Sequence, residues 1–175
     1  SYQLRKRDYN LDEEKIREYF PAQTVVKGLF EVYSKLLGVH YSEVKGADVW
    51  SPDVKVYRIE DNLDGRLLGM FYMDNIPRAG KYGHAAAFPL IAGRAINGHY
   101  SVPVAAMVAN FNPPSEGKPS LLSHGDVETL FHEFGHIMHQ TLTRVPYASL
   151  SGTAVAQDFV EAPSQMLENW VWNPE

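Results

Sequence analysis

Apolar positions along this chain follow two spacings, and each spacing predicts a different kind of element. Apolar residues recur every three or four positions over residues 11–19, 22–37 and 127–142, as on the buried face of an amphipathic helix. Pro21 separates the first two stretches and Gly38 follows the second. We therefore expect two helices that break at the proline and end at the glycine.

Shorter apolar runs lie between these helical stretches, and turn residues separate them. They predict strands at residues 54–59, 66–73, 85–91 and 102–111. Helices, then strands, then helices imply an α+β layer structure in which the helix at 127–142 packs on a twisted sheet. Trp170 and Trp172, near the end of the chain, are expected in the core.

The helix at 127–142 carries the most specific chemistry in the chain, the H-E-x-x-H string His132-Glu133-Phe-Gly-His136. Four residues make slightly more than one helical turn, so both histidines lie on one face and can bind one ion. Glu133 lies about 100° round the helix, where its carboxylate can reach a water on that ion. This spacing is typical of zinc peptidases, although a solvated histidine face on an ordinary helix is the other interpretation. Ser123 and Asp126 resemble a capping box at the helix start.

A third ligand has to come from outside this motif, because catalytic zinc usually has three protein ligands and a water. His139 lies about 10 Å along a straight helix from His132, so the three histidines cannot easily share one ion. Leu142 stands where another common arrangement requires a third histidine. A downstream glutamate remains, and Glu161 is the candidate.

Glu161 lies in segment 158–170, which is predicted to form a second helix. Pro163 removes a backbone hydrogen bond there, so either the helix kinks after Glu161 or it begins near Ala162.

Two further residues concern the surroundings of the metal. Glu168 lies two turns beyond Glu161 on the same helical face, and Gln165 lies one turn beyond. We expect Glu168 to orient a metal-bound histidine, since a carboxylate raises imidazole basicity more than an amide does. Gly135 costs about 1 kcal/mol relative to alanine inside a helix. Close approach of another backbone near the metal would explain this glycine, and a simple packing site is the alternative.

Six strings spread over most of the chain match the motifs of one family. They are EYFP at 18–21, GKYGH at 80–84, AAMVANF at 105–111, HEFGHIMHQ at 132–140, SGT at 151–153 and DFVEAPSQMLENWVW at 158–172. Together they resemble the thimet oligopeptidase, neurolysin and oligopeptidase A family of zinc metallopeptidases, which also includes peptidyl-dipeptidases. The two metal motifs in this order are highly specific.

The resemblance implies a zincin-like fold in which His132, His136 and Glu161 bind one Zn²⁺ per chain and Glu133 is the general base. It implies a zinc metalloendopeptidase that hydrolyses short oligopeptides in a channel walled by helices. Family members are several times longer. Residues 1–175 are therefore expected to be the catalytic subdomain of a larger, mostly helical oligopeptidase, with the rest of the same polypeptide as a partner.

Composition narrows the other partners and the location. A net charge of −5 gives no electrostatic footprint for nucleic acid, and no apolar run has the length of a transmembrane helix. We therefore expect neither nucleic acid nor a membrane as a partner. Cysteine is absent, which removes thiolate metal ligands and agrees with a cytoplasmic location.

Two alternatives to a zinc endopeptidase stay open. One is a peptidyl-dipeptidase of the same family, which removes C-terminal dipeptides. The other is a non-catalytic zinc-binding scaffold, against which an intact Glu133 argues because a structural site needs no base beside the metal. Histidine and carboxylate ligands also accept cobalt or manganese, so the choice of zinc rests partly on the resemblance.

Overall fold

A computed structural model describes residues 12–115 and 117–173 of the chain. The helices of this part are α1 Glu13–Arg17, α2 Ala22–Leu37, α3 His124–Thr141 and α4 Ala162–Glu168. The strands are β1 Val39–Glu43, β2 Lys55–Asp61, β3 Leu67–Asp74, β4 Ala86–Ile91, β5 Arg94–Ile96, β6 His99–Ser101 and β7 Val104–Val108. Short 3₁₀ turns cover Ala148–Leu150 and Asn169–Trp172. The predicted mixture of helices and a sheet is confirmed.

Five strands form one sheet in the order β1-β2-β3-β7-β4. Neighbours are antiparallel except β3 and β7, which are parallel. Helix α3 packs against β3, β7 and β4, as expected for the motif helix, and α2 packs against β1. The motif helix is therefore held against the centre and one edge of the sheet.

Aromatic side chains set the rotation of α3 on this sheet. Phe134 is fully buried, and its ring lies 5.3 Å from that of Phe71 and 4.9 Å from that of Tyr33, measured between centroids. The Tyr33 hydroxyl donates a 2.8 Å hydrogen bond to the backbone oxygen of Phe131. Because these contacts turn Phe131 and Phe134 into the core, His132 is left on a more accessible side of the helix.

The last residue of β3, Asp74, has a buried carboxylate. Asp74 is 2 % exposed and accepts hydrogen bonds from Trp50 and Arg78, and Lys81 lies 2.9 Å from it. Burial opposes ionisation of Asp74, but the hydrogen bonds from Arg78, Trp50 and Lys81 and the Lys81 charge lower its pKa to about 2. Lys81 also donates to the backbone oxygens of Asp74, Ile76 and Ala109, so one lysine ties the segment after β3 to the end of β7.

Most predicted elements are confirmed, with shifted ends. The predicted strands correspond to β2, β3, β4 and β7, of which β7 is shorter than expected. Helix α2 has the predicted bounds, and Gly38 ends it in the left-handed conformation at φ 67°. The first helix is shorter than residues 11–19, and Leu11 lies outside the described residues.

Three strands are absent from the sequence prediction. β1 follows Gly38 directly and buries Val39 and Tyr41 on alternate positions. β5 and β6 form a separate two-stranded hairpin. Asn97 and Gly98 lie between them with positive φ angles of 49° and 80°, which an Asn-Gly turn favours.

At the end of the chain, one of two predicted alternatives is confirmed and another prediction is wrong. The second helix begins at Ala162 instead of running from Asp158 with a kink, and the proline lies in its first turn, where a missing N–H costs nothing. Trp170 and Trp172 are not core residues, because they are 40 % and 65 % exposed. They lie in the 3₁₀ turn after α4, and the ring of Trp172 lies 4.3 Å from that of His124, measured between centroids.

Within the described ranges, none of the helices combines the length and hydropathy needed to cross a bilayer.

Candidate metal centre

The metal-motif helix α3 begins at the predicted capping box. The Ser123 hydroxyl accepts a hydrogen bond from the Asp126 N–H, and the Asp126 carboxylate accepts one from the Ser123 N–H. These reciprocal bonds satisfy two N–H groups that would otherwise have no partner at a helix start. The start of the helix that carries His132, Glu133 and His136 is thereby fixed.

The three predicted ligand residues converge on one point. Nε2 of His132 and Nε2 of His136 lie 3.2 Å apart. Oε2 of Glu161 lies 3.3 Å from the first and 3.1 Å from the second. Among the described residues this is the one group of histidine and carboxylate side chains with ligand atoms close enough to share an ion. His139 does not belong to it, as the helix geometry predicts.

The size of this triangle fits zinc. Two atoms held tetrahedrally at about 2.0–2.1 Å from one ion lie about 3.3–3.4 Å apart. The three observed separations are within about 0.3 Å of that value, so these three ligand atoms fit a zinc ion.

Glu168 contacts His132, as the sequence predicts. Its carboxylate oxygen Oε1 accepts a hydrogen bond from Nδ1 of His132. A proton on Nδ1 leaves the lone pair of Nε2 free for a metal, and the carboxylate raises its basicity. Gln165 is exposed and has no such contact with the histidine. Nδ1 of His136 is buried and has no hydrogen-bond partner among residues 12–115 and 117–173.

The surroundings of His136 favour its neutral form. Burial lowers its pKa, and the nearby His132 lowers it further, against the opposing effect of Glu161. A neutral imidazole is the form that binds a metal. Glu133 follows His132 on α3 and is 8 % exposed. Burial raises its pKa, His132 opposes this shift, and Glu161 adds to it.

Helices α3 and α4 approach each other at Gly135. A Cβ on Gly135 would lie 2.7 Å from the Cα of Ser164, which is too close for any side chain. The expected close backbone approach near the metal is therefore confirmed, and it explains a glycine in the middle of the helix. Ser164 is fully buried, and its hydroxyl lies 2.8 Å from the backbone oxygen of Glu161 and 3.0 Å from Oε2 of the same residue. Ser164 is not among the residues predicted from the sequence, where its only signal is that it is a small polar residue one turn after the glutamate.

A second contact holds the loop that leads to Glu161. Oε1 of Gln140, near the end of α3, accepts hydrogen bonds from the N–H and the hydroxyl of Thr153. Gly152 has a φ of 59°, and a Cβ there would lie 2.3 Å from the same Gln140 oxygen. The helix that carries the histidines thus also fixes the start of the segment that carries the third ligand.

Two histidines on one helix, a glutamate at the start of a second and a buried carboxylate next to the first histidine are an arrangement typical of metallopeptidases. The whole chain, residues 1–175, matches the model of peptidase family M3. The chain belongs to this family, and the predicted family resemblance is confirmed.

The chain is also similar in sequence to individual members of the family. The chain is 49% identical over 170 residues to a protein named thimet-like oligopeptidase from Dictyostelium discoideum, which covers 96% of this chain. It is 44% identical to oligopeptidase A from Escherichia coli strain K12 over 95% of this chain. It is 39% identical to dipeptidyl carboxypeptidase from the same strain over 99% of this chain. The chain spans 25% of the length of each of these three relatives.

Proposed function

We propose that this chain is the metal-binding part of a zinc-dependent endopeptidase that acts on short oligopeptides. The observation that carries the proposal is the triangle of His132 Nε2, His136 Nε2 and Glu161 Oε2, which has the dimensions of a tetrahedral zinc face. Membership of peptidase family M3 supports peptide hydrolysis as the reaction. Similarity to proteins named oligopeptidase supports short peptides as substrates. By the same family argument, we propose a zincin-like subdomain of a larger, mostly helical oligopeptidase.

Each residue of the site has a separate task in this reaction. His132, His136 and Glu161 would hold the zinc ion, which when bound would supply the positive charge that acidifies a water and polarises the scissile carbonyl. Glu133 accepts a proton from the attacking water and delivers it to the leaving amine, because it follows the first ligand directly on the same helix. Glu168 holds His132 in the tautomer that presents Nε2. Gly135 lets Glu161 reach the histidines by allowing α4 to pack closely on α3.

A zinc-binding scaffold without activity is the alternative from another class. A structural zinc site is usually closed by four protein ligands, whereas here three ligand atoms converge and an acid lies next to them. Both features favour the catalytic interpretation.

Cleavage of a quenched short peptide by the full-length protein tests the proposal. We expect turnover that stops when a chelator removes the metal and returns when one equivalent of zinc is added. His132→Ala should abolish both zinc binding and turnover, whereas His139→Ala, on the same helix but outside the triangle, should retain both. A protein that holds zinc stoichiometrically and cleaves no peptide would contradict the proposal.

The products of the same reaction distinguish the two family activities. An endopeptidase cuts internal bonds of a peptide blocked at its C-terminus, whereas a peptidyl-dipeptidase releases dipeptides from a free C-terminus. The 39% identity to a dipeptidyl carboxypeptidase keeps the second activity as an outcome of this mapping.

A further inference from the structure

The buried hydroxyl of Ser164 contacts the candidate ligand atom itself. It lies 3.0 Å from Oε2 of Glu161, the oxygen that also faces His132 and His136. We propose that Ser164 is a positioning residue of the metal centre, whose hydroxyl holds Oε2 of Glu161 at the third corner of the triangle. This inference rests on the proposed function, because it assigns a task toward the metal.

The Glu161 carboxylate needs such a partner because it is otherwise loosely held. Its side chain is 47 % exposed, and ordering a free glutamate side chain costs up to about 2 kcal/mol. When Nδ1 of His132 donates to Glu168, the neutral ring has no proton on Nε2 to donate to Glu161. Within the described ranges, Ser164 is therefore the one side chain outside the histidine pair that donates to this carboxylate.

The serine proton has a choice of two acceptors, and the carboxylate is the better one. The backbone oxygen of Glu161 lies 2.8 Å from the hydroxyl, but it already accepts the N–H of Gln165 at 3.0 Å. Hydrogen bonds to an ionised oxygen are roughly twice as strong as those to a neutral one. The hydroxyl therefore favours Oε2, which leaves a further lone pair on that oxygen for the metal.

Ser164 is also fixed relative to the histidines. Its Cα lies against Gly135, which lies between His132 and His136 on α3 and directly precedes His136. The hydroxyl therefore holds the Glu161 carboxylate at a fixed distance from α3, the helix that carries the other two ligands.

Zinc affinity of the full-length Ser164→Ala variant, measured by competition with a chromogenic chelator, tests this inference. Alanine keeps the Cβ and the contact with Gly135 and removes only the hydroxyl. We expect zinc binding at least about tenfold weaker, the lower end of losses for residues that orient a ligand. The matched control is Thr141→Val on α3, which removes another fully buried hydroxyl that bonds only to a backbone oxygen, that of Ile137. This control should retain wild-type zinc affinity, although both variants unfold at a lower temperature without metal.

Two further measurements separate positioning from simple stability. In a Glu161→Gln background, the additional loss caused by Ser164→Ala should disappear, because the serine acts through the carboxylate. With Co²⁺ in place of zinc, Ser164→Ala should change the visible absorption of the site and Thr141→Val should not. Should the alanine variant fail to fold, Ser164→Gly removes the same hydroxyl and carries the same expectation.

The outcomes distinguish this inference from the proposed function. A wild-type protein that binds no zinc would overturn the proposed function. The inference alone would be overturned if the wild-type protein binds zinc and the affinity of Ser164→Ala is within about twofold of the wild-type affinity. Loss of a residue that orients a ligand costs at least about tenfold.

Discussion

Gly135→Ala is the substitution whose effect follows most directly from the packing of the two metal-binding helices. The new Cβ would lie 2.7 Å from the Cα of Ser164, and ordinary contact begins at 3.4 Å. Since the obstructing atom is backbone, no side-chain rotation relieves the overlap. Helix α4 has to retreat from α3 by the difference, about 0.7 Å, and Glu161 lies at its start.

The two effects of this substitution on stability oppose each other. Alanine in place of glycine favours a helix by about 1 kcal/mol. Overpacking of a tight contact costs about 1–3 kcal/mol, so we expect a net loss of up to about 2 kcal/mol. The effect on zinc is larger in relative terms, because ligand distances tolerate about 0.2 Å and the retreat is several times that. Zinc affinity should fall at least about tenfold.

Chelator competition and urea unfolding of the full-length protein measure both quantities. Gly28→Ala is the control, because it lies in helix α2 and an added Cβ there meets nothing within 4 Å. That variant should gain about 0.4–1 kcal/mol of stability and retain zinc affinity. If Gly135→Ala behaved like Gly28→Ala in both measurements, the reasoning from helix spacing would be refuted.

Three other predictions concern the partners of His132 and the buried carboxylate of β3. Glu168→Gln keeps a hydrogen-bond acceptor for His132 but removes its charge, so zinc affinity should fall about tenfold in chelator competition, and unchanged affinity would contradict the role of Glu168. Asp74→Asn leaves the Lys81 charge buried without its counter-charge, so the free energy of unfolding in urea should fall by about 3–5 kcal/mol; a change below about 1 kcal/mol would refute this. The pKa of Asp74 is lowered from 3.8 to about 2, so its ionised form contributes about 2 kcal/mol to the free energy of unfolding above the unfolded pKa. This contribution is lost as the pH falls towards 2. The loss of stability in acid should therefore be smaller in Asp74→Asn.

The sequence predicts the local parts of the site well. His132, Glu133 and His136 lie within two helical turns, so their relative positions follow from helix geometry alone. The capping box at Ser123 is equally local, and it has the expected form. Glu161 joins them from another element. It became the candidate because His139 and Leu142 were eliminated as sources of the third ligand, and the family resemblance implies the same role.

Contacts that depend on tertiary packing were harder to predict. The Ser164 contact depends on how closely α4 approaches α3, which the glycine permits but does not specify. The exposure of Trp172 depends on the direction of a 3₁₀ turn, whereas its hydrophobicity suggested burial. Strand β1 is short and directly follows a helix, so the alternation of Val39 and Tyr41 was too brief to be recognised.

The zinc content and the kcat of full-length Glu133→Gln, measured on one preparation, test the central claim most directly. The amide leaves the three ligand atoms in place but cannot accept a proton from water. We expect one zinc per chain and a kcat that is lower by about 10² to 10⁴. A variant that keeps its zinc and a near-wild-type kcat would contradict the assignment of Glu133 as the base.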